Sequence, residues 1–136
     1  MHLLSVRIIT WDIERLINFY EDITGLSSIR YTPEFAEFKT DYATLAIGSI
    51  HTMKAFSDKE IVTAIKNTSV IIEFMVDDVD QLYGKIENAV RSSVIQKPTV
   101  MPWGNKSLLI RDPDGNLVNL FTPVSEQALR KFNLQH

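Results

Sequence analysis

Cysteine is missing altogether from the 136 residues. That excludes a disulfide framework, a thiolate metal site and a cysteine nucleophile, and it suits a cytoplasmic protein. Long apolar runs are missing too: nothing approaches the roughly 20 consecutive residues that a membrane-crossing helix needs. The first residues, MHLLSVRIITWD, lack a basic leader and a small-residue cleavage site, so a first strand is expected there rather than a signal peptide. Positive charge is in short supply, with 14 Lys and Arg against 17 Asp and Glu and a net charge of −3. A chain with no basic footprint is not expected to bind nucleic acid. Histidine occurs three times, at His2, His51 and His136. What remains, 45% hydrophobic and 23% charged, suits one globular domain over residues 1–136.

The densest local signal lies at 102–123, PWGNKSLLIRDPDGNLVNLFTP. Its centre, Asp112-Pro113-Asp114-Gly115-Asn116, combines a proline that presets φ with residues that tolerate φ > 0, between two apolar runs of strand length. A β-hairpin is expected. In its second strand the two-residue period puts Leu117, Asn119 and Phe121 on one face and Val118 and Leu120 on the other, which makes Asn119 a pocket residue if the first face lines a cavity.

Upstream, a β-branched strand over 3–10 runs into Asp12, a helix N-cap, followed by Ile13, Leu16, Ile17 and Tyr20 at the spacing of an amphipathic stripe and closed by Thr24-Gly25. Strands are expected at 27–31, 35–39 and 42–47. Ser57-Asp58-Lys59-Glu60 has the form of a capping box and predicts a linker helix over 57–67 with Ile61, Ala64 and Ile65 inward. A strand at 70–76 leads to Asp78, a second N-cap with Gln81 in the capping-box position, and to Val79, Leu82, Tyr83 and Ile86. Subtracting 66 from 78, 79, 82, 83 and 86 returns 12, 13, 16, 17 and 20, so cap and stripe recur at one offset. A strand at 93–96, a loop through Pro98 and Pro102, the hairpin, and a short C-terminal helix over 124–134 complete the chain. The organisation is module 1 (1–50), linker, module 2 (69–123) and C-terminal helix.

With Asp12-Ile13-Glu14-Arg15-Leu16-Ile17-Asn18-Phe19-Tyr20 before Gly25, the step Val76-Asp77-Asp78-Val79, and Trp103-Gly104-Asn105 leading to the Asp-Pro-Asp-Gly-Asn turn, the chain resembles the vicinal oxygen chelate superfamily. That group includes glyoxalase I, bleomycin and fosfomycin resistance proteins and extradiol dioxygenases. The resemblance spans roughly residues 3–121 and implies an α+β fold, two βαβββ modules forming an incomplete curved barrel around a cavity. It also implies where metal-dependent members hold a divalent ion, with His or Gln, Glu, His and Glu on four strands. Counted from Asp12, Asp77 and the hairpin turn, those positions fall on Ser5, near Leu45, on Ile71 and on Asn119. These do not make a divalent site, and none of the three histidines occupies a ligand position. Neither a metal nor another cofactor is expected.

Arg7 lies two residues beyond Ser5 and Glu73 two beyond Ile71, again 66 apart. Paired by pseudo-twofold symmetry they would face each other across the cavity, either anchoring a polar or ionised ligand group with help from Asn119 or forming a structural ion pair or pointing to solvent. Trp103 either covers a flat ligand or caps the core. Tyr31, Phe35, Phe38 and Phe121 suit the lining of a planar ligand, and core packing explains them equally well. Caps and turns account for Asp12, Asp78, Asp112 and Asp114. The expected function is metal-free binding of a small organic molecule, as in the bleomycin resistance branch, by a homodimer that sequesters an antibiotic or other planar ligand. The ligand-binding set is Ser5, Arg7, Phe38, Leu45, Ile71, Glu73, Trp103, Asn119 and Phe121, with no catalytic residue. Two alternatives stay open. One is a metal-dependent lyase, isomerase, thiol transferase or dioxygenase, which needs ligands this sequence does not show. The other is a metal-free enzyme with Glu73 as general base, a role that a neighbouring Arg7 would oppose.

Overall fold

The two caps act as the sequence dictates. In the computed structural model, which describes residues 1–133, the Asp12 carboxylate accepts from Arg15 N at 3.1 Å and opens helix α1 (Ile13–Thr24). Asp78 accepts from Gln81 N at 3.1 Å and opens α2 (Val79–Val90). Gly25 takes the left-handed conformation, φ 71°, that ends α1 by returning its N–H to the Glu21 carbonyl. The stripes point inward: Leu16, Ile17, Tyr20 and Ile23 on α1, and Val79, Ile86 and Val90 on α2, are buried.

The chain divides into two units, residues 1–67 and 68–136. In the first, β1 (Ser5–Thr10), β2 (Ile29–Thr32), β3 (Phe35–Lys39) and β4 (Thr44–Ser49) form a sheet in the order β1-β4-β3-β2. β1 and β4 run parallel, and the other pairs are antiparallel. In the second, β5 (Ile71–Met75), β6 (Val94–Val100), β7 (Asn105–Arg111) and β8 (Leu117–Pro123) repeat the pattern as β5-β8-β7-β6, again with first and last strands parallel. Each unit is therefore βαβββ, and the class is α+β. Helix α3 (Glu126–Lys131) follows, capped by Ser125 Oγ, which accepts from Ala128 N at 3.0 Å. The expected C-terminal helix is thus shorter than 124–134, and residue 134 lies outside the described residues.

Each sheet has one face against its helix. In unit 1 that face carries Ala36, Phe38, Leu45 and Ile47, all buried, with the Phe38 ring 6.1 Å from Tyr20 of α1. In unit 2 it carries Leu108, Ile110, Val118 and Leu120, none with any exposed surface. The division of β8 into a Val118/Leu120 face and an Asn119/Phe121 face follows the strand period as expected.

The linker helix expected over 57–67 does not form. Ser57 Oγ accepts from Lys59 N, two residues on, at 3.1 Å, and the Glu60 carboxylate takes the Thr63 hydroxyl at 3.4 Å instead of returning to Ser57. The local side-chain bonds thus serve a turn. Ile61, Val62, Thr63 and Ile65 are β-branched and weak helix formers, and Ile65 sits at φ 63°, which no helix admits. Ala64 is buried, whereas Ile61 and Ile65 are exposed. A short 3₁₀ helix forms earlier instead, at Ile50–Ala55, where Ser49 Oγ accepts from His51 N at 3.1 Å.

Proline 98 lies inside β6 and not in a loop. The pairing register with β7 shifts between Gln96 and Thr99, and such an irregularity is where a strand tolerates a residue without an N–H.

The hairpin turn is fastened by one carboxylate. Asp112 Oδ1 accepts from Asp114 N and Asn116 N, each at 2.9 Å, and its Oδ2 accepts from Asn116 Nδ2 at 2.8 Å. Gly115, at φ 86°, supplies the left-handed residue.

Candidate functional site

Strand register decides which side chains share the faces turned away from the helices. In unit 1, Arg7 is level with Ala46 and Ala46 with Glu37, so these three form one row across the open face. Ser5, Thr44 and Lys39 form a second row, and Ile9, Gly48 and Phe35 a third. The Arg7 guanidinium is exposed and lies 4.9 Å from the centre of the Phe35 ring and 5.9 Å from that of Phe56. Aromatic faces hold a guanidinium by its planar surface and leave its N–H edge available for a carboxylate or phosphate. Tyr31, whose ring is 5.9 Å from Phe35 and 6.0 Å from the Lys39 ammonium, is the main group that holds the Lys39 pKa above its ordinary value, through its hydroxyl and its charge, with Glu37 assisting at 3.9 Å.

In unit 2 the corresponding rows are Ile71–Leu117–Arg111, Glu73–Asn119–Leu109 and Met75–Phe121–Ser107. Asn119 Nδ2 donates to Glu73 Oε2 at 2.9 Å. That contact fixes the amide orientation, because the flipped form would set two acceptors against each other. Among the described residues the Asn119 Oδ1 atom is then buried with no hydrogen-bond partner, as is Ser107 Oγ on the same face. Arg111 stands two residues along from Leu109 and donates from Nη1 to the Gly115 carbonyl at 2.9 Å. Phe121 is covered by Phe132, the ring centres 5.7 Å apart.

These placements sort the expected site residues. Ser5 and Arg7 share the open face of unit 1, and Ile71, Glu73, Asn119 and Phe121 share that of unit 2. Arg7 and Glu73 each find their contacts inside their own unit, Arg7 on two rings and Glu73 on Asn119. Leu45 and Phe38 belong to neither open face. Both point at α1 and are core residues, because Leu45 pairs with Val6 on β1 and with Phe38 on β3. In unit 2 the residue taken for the fourth metal-ligand position, Asn119, is level with Glu73; the residue level with Arg7 in unit 1 is Ala46, so by the symmetry of the repeat the second position, expected near Leu45, corresponds to Ala46. Trp103 is 61% exposed, so it does not cap the core. Ser107 escaped notice because it lies just before the apolar run of β7, although continuing the two-residue period back from Leu109 would have found it. Nothing in the local sequence marks Phe56 as a partner of Arg7.

The donor set can now be tested against a divalent ion. Ser5, Ala46, Ile71 and Asn119 offer one hydroxyl and one amide, with no carboxylate or imidazole, and they do not fit the ion that the fold family implies. Among the described residues no three His, Asp or Glu side chains come together as a metal-holding group. His2 precedes β1 and His51 lies in the 3₁₀ turn, while His136 lies outside the described residues.

Among the described residues no helix is long and apolar enough to cross a membrane. The chain is 28% identical over 127 residues to an uncharacterized protein of Bacillus subtilis (strain 168), YraH, covering 89% of this chain and 98% of that one. Its fold matches the crystal structure of a protein of unknown function from Agrobacterium tumefaciens C58 (TM-score 0.77, 23% identity, 90% and 94% of the two chains). It also matches lactoylglutathione lyase from the same organism (TM-score 0.66, 23% identity, 88% and 92%). A glyoxalase/bleomycin resistance protein/dioxygenase family enzyme from Burkholderia phytofirmans PsJN has the same fold (TM-score 0.71, 20% identity, 91% and 100%). Residues 2–120 match the model of one family over both βαβββ units, and the chain belongs to the Glyoxalase/Bleomycin resistance protein/Dioxygenase superfamily.

Proposed function

We propose that this chain binds a small organic molecule without a metal ion. One observation carries the reading: at the four positions where metal-dependent relatives need carboxylate or imidazole, this sequence has Ser5, Ala46, Ile71 and Asn119. No lyase, isomerase, thiol transfer or dioxygenase chemistry that depends on a bound divalent ion is available to that set. The open faces still carry polar groups suited to holding a ligand, Arg7 on its aromatic supports in unit 1 and the Glu73–Asn119 pair in unit 2. Trp103, exposed beside Gly104, can lie against a planar body, and an antibiotic or similar planar compound is the kind of ligand such a protein sequesters. A homodimer in the cytoplasm completes the proposal. Leu3, Leu4, Val6 and Trp11, all exposed around the edge strand β1, supply the apolar surface that a second copy would cover.

The test is metal analysis of the purified protein together with thermal-shift titration against Ni²⁺ and Zn²⁺ and against a library of organic compounds. Binding of library members without any metal response is expected. Stoichiometric metal, or a metal-dependent rise in melting temperature, overturns the proposal.

A further inference from the structure

Unit 2 contains polar atoms that its own fold leaves unanswered. Asn119 is 8% exposed and Ser107 3%, yet among the described residues neither the amide oxygen of the first nor the hydroxyl of the second has a hydrogen-bond partner. Buried acceptors without donors are rare and costly, and a folded domain that keeps them on one sheet face calls for an explanation. The groups around them share one chemical character. Glu73 Oε2 accepts from Asn119 Nδ2, and among the described residues Oε1 stays able to accept another. The face therefore presents acceptors, Glu73 Oε1 at the accessible edge and Asn119 Oδ1 behind it, with the Ser107 hydroxyl, which can accept or donate, one row along. The amide's donor is already committed to Glu73.

Access comes from the side of β5. This strand is the outer member of its sheet, and its open-face residues Ile71 (51%), Glu73 and Met75 (41%) are all exposed. Ile71 and Met75 flank the carboxylate two residues to either side and offer an apolar bed. Leu117 and Leu109 continue it on β8 and β7.

We infer that the Glu73–Asn119 pair of unit 2, with Ser107 one row along, is a recognition site for a cationic nitrogen donor, a protonated amidine, guanidine or amine on an apolar body. The cation pairs with the Glu73 carboxylate in a charge-assisted bond, and a second N–H of the same head reaches Asn119 Oδ1. A forked donor satisfies both acceptors at once, which a single hydroxyl cannot. The apolar body rests on Ile71 and Met75. The Arg111 guanidinium shares this sheet face and donates from Nη1 to the hairpin carbonyl of Gly115. This inference rests on the metal-free binding role proposed above and adds the class of ligand.

Three probes of one shape test it: benzamidine (cationic), benzamide (neutral) and benzoate (anionic), by thermal shift and isothermal titration calorimetry at neutral pH. Benzamidine is expected to bind and to raise the melting temperature, with benzamide and benzoate inert at the same millimolar concentration. Glu73→Gln and Asn119→Leu should each weaken benzamidine at least tenfold, and Ser107→Ala a few-fold. Circular dichroism and the unliganded melting temperature show whether each variant is folded. Absence of benzamidine binding, or equal binding by wild type and folded Glu73→Gln, overturns the inference. If benzoate or neutral library compounds bind and these variants leave their affinity unchanged, the cationic assignment falls while the binding role stands. Stoichiometric Ni²⁺ or Zn²⁺ removes both.

Discussion

Replacing Asn119 by leucine should make this protein more stable, although it deletes a buried hydrogen bond. Two effects oppose each other. The bond from Asn119 Nδ2 to Glu73 runs to a charged acceptor and would be worth about 1.5–3 kcal/mol in a buried setting, but Glu73 is exposed and water replaces the lost donor, so about 1 kcal/mol is at stake. Against that, the unpartnered Oδ1 costs about 1–3 kcal/mol while it stays buried, and leucine removes it. The net change is a gain of about 0–2 kcal/mol, centred near 1. Unfolding entropy of about 2.1 cal/mol/K per residue, taken over 136 residues, turns this into a rise of up to roughly 7 °C, centred near 3 to 4 °C. Scanning calorimetry of wild type, Asn119→Leu and Glu73→Ala reads it directly, the last variant isolating the bond. A fall of more than about 3 °C for Asn119→Leu would refute the reasoning, because it would mean that Oδ1 is satisfied in the folded protein. The gain should be matched by a loss of binding, as expected where a site is kept at the expense of stability.

Three further outcomes follow from local geometry. Gly104→Ala should destabilise by about 3 kcal/mol in urea unfolding: its φ is 91° and the added Cβ would lie 1.9 Å from Ser125 Oγ, the cap of α3, with Ser125→Gly restoring about a third of the loss. Asp112→Ala should cost about 2–4 kcal/mol, and Asp112→Asn about half that, since one carboxylate answers three donors in the hairpin turn. Lys39 titrates above its ordinary value because Tyr31 and Glu37 favour the ammonium, so its stabilising contribution is present at neutral pH and is lost as pH rises through the raised pKa. Tyr31→Phe should move the NMR-detected Lys39 titration downward, and an unmoved titration would show that Tyr31 is not its partner.

The repeat, both helices and the hairpin turn were legible because they rest on short-range physics: an aspartate cap, a 3.6-residue stripe, a turn that only certain residues permit. The parallel pairing of β1 with β4 and of β5 with β8, by contrast, joins residues far apart in sequence and left no local signal. The second metal-ligand position was not legible either. Helix and first strand recur at an offset of 66, but Ala46 and Asn119, level with Arg7 and Glu73, are 119 − 46 = 73 apart. Strands β6 and β7 are longer than β2 and β3, so the register of the last strand drifts by seven residues, and a count of spacings in module 1 lands on Leu45, one residue and one face away. Phe38 lies on a strand whose bounds were read correctly, but it was grouped with Phe35 by composition alone, and the two-residue period puts Phe35 and Phe38 on opposite faces. The linker failed differently. A capping box states that a helix start is available, and the β-branched residues after it did not take it up.

In each unit the parallel pair joins the first strand to the last, Ser5 to Thr44 and Ile71 to Leu117, whereas the antiparallel pairs join near neighbours in sequence. Contacts between distant residues carry the largest loop-closure entropy, so hairpins are expected to precede these closures during folding. Glu73 and Asn119 sit on opposite sides of the second closure. A chain halted with its hairpins formed and β5 undocked has neither a carboxylate beside the amide nor anything for a ligand to grip. On the binding role proposed above, occupancy of that pair would report completed folding, and a ligand held there would act as a clasp on the last strand to arrive.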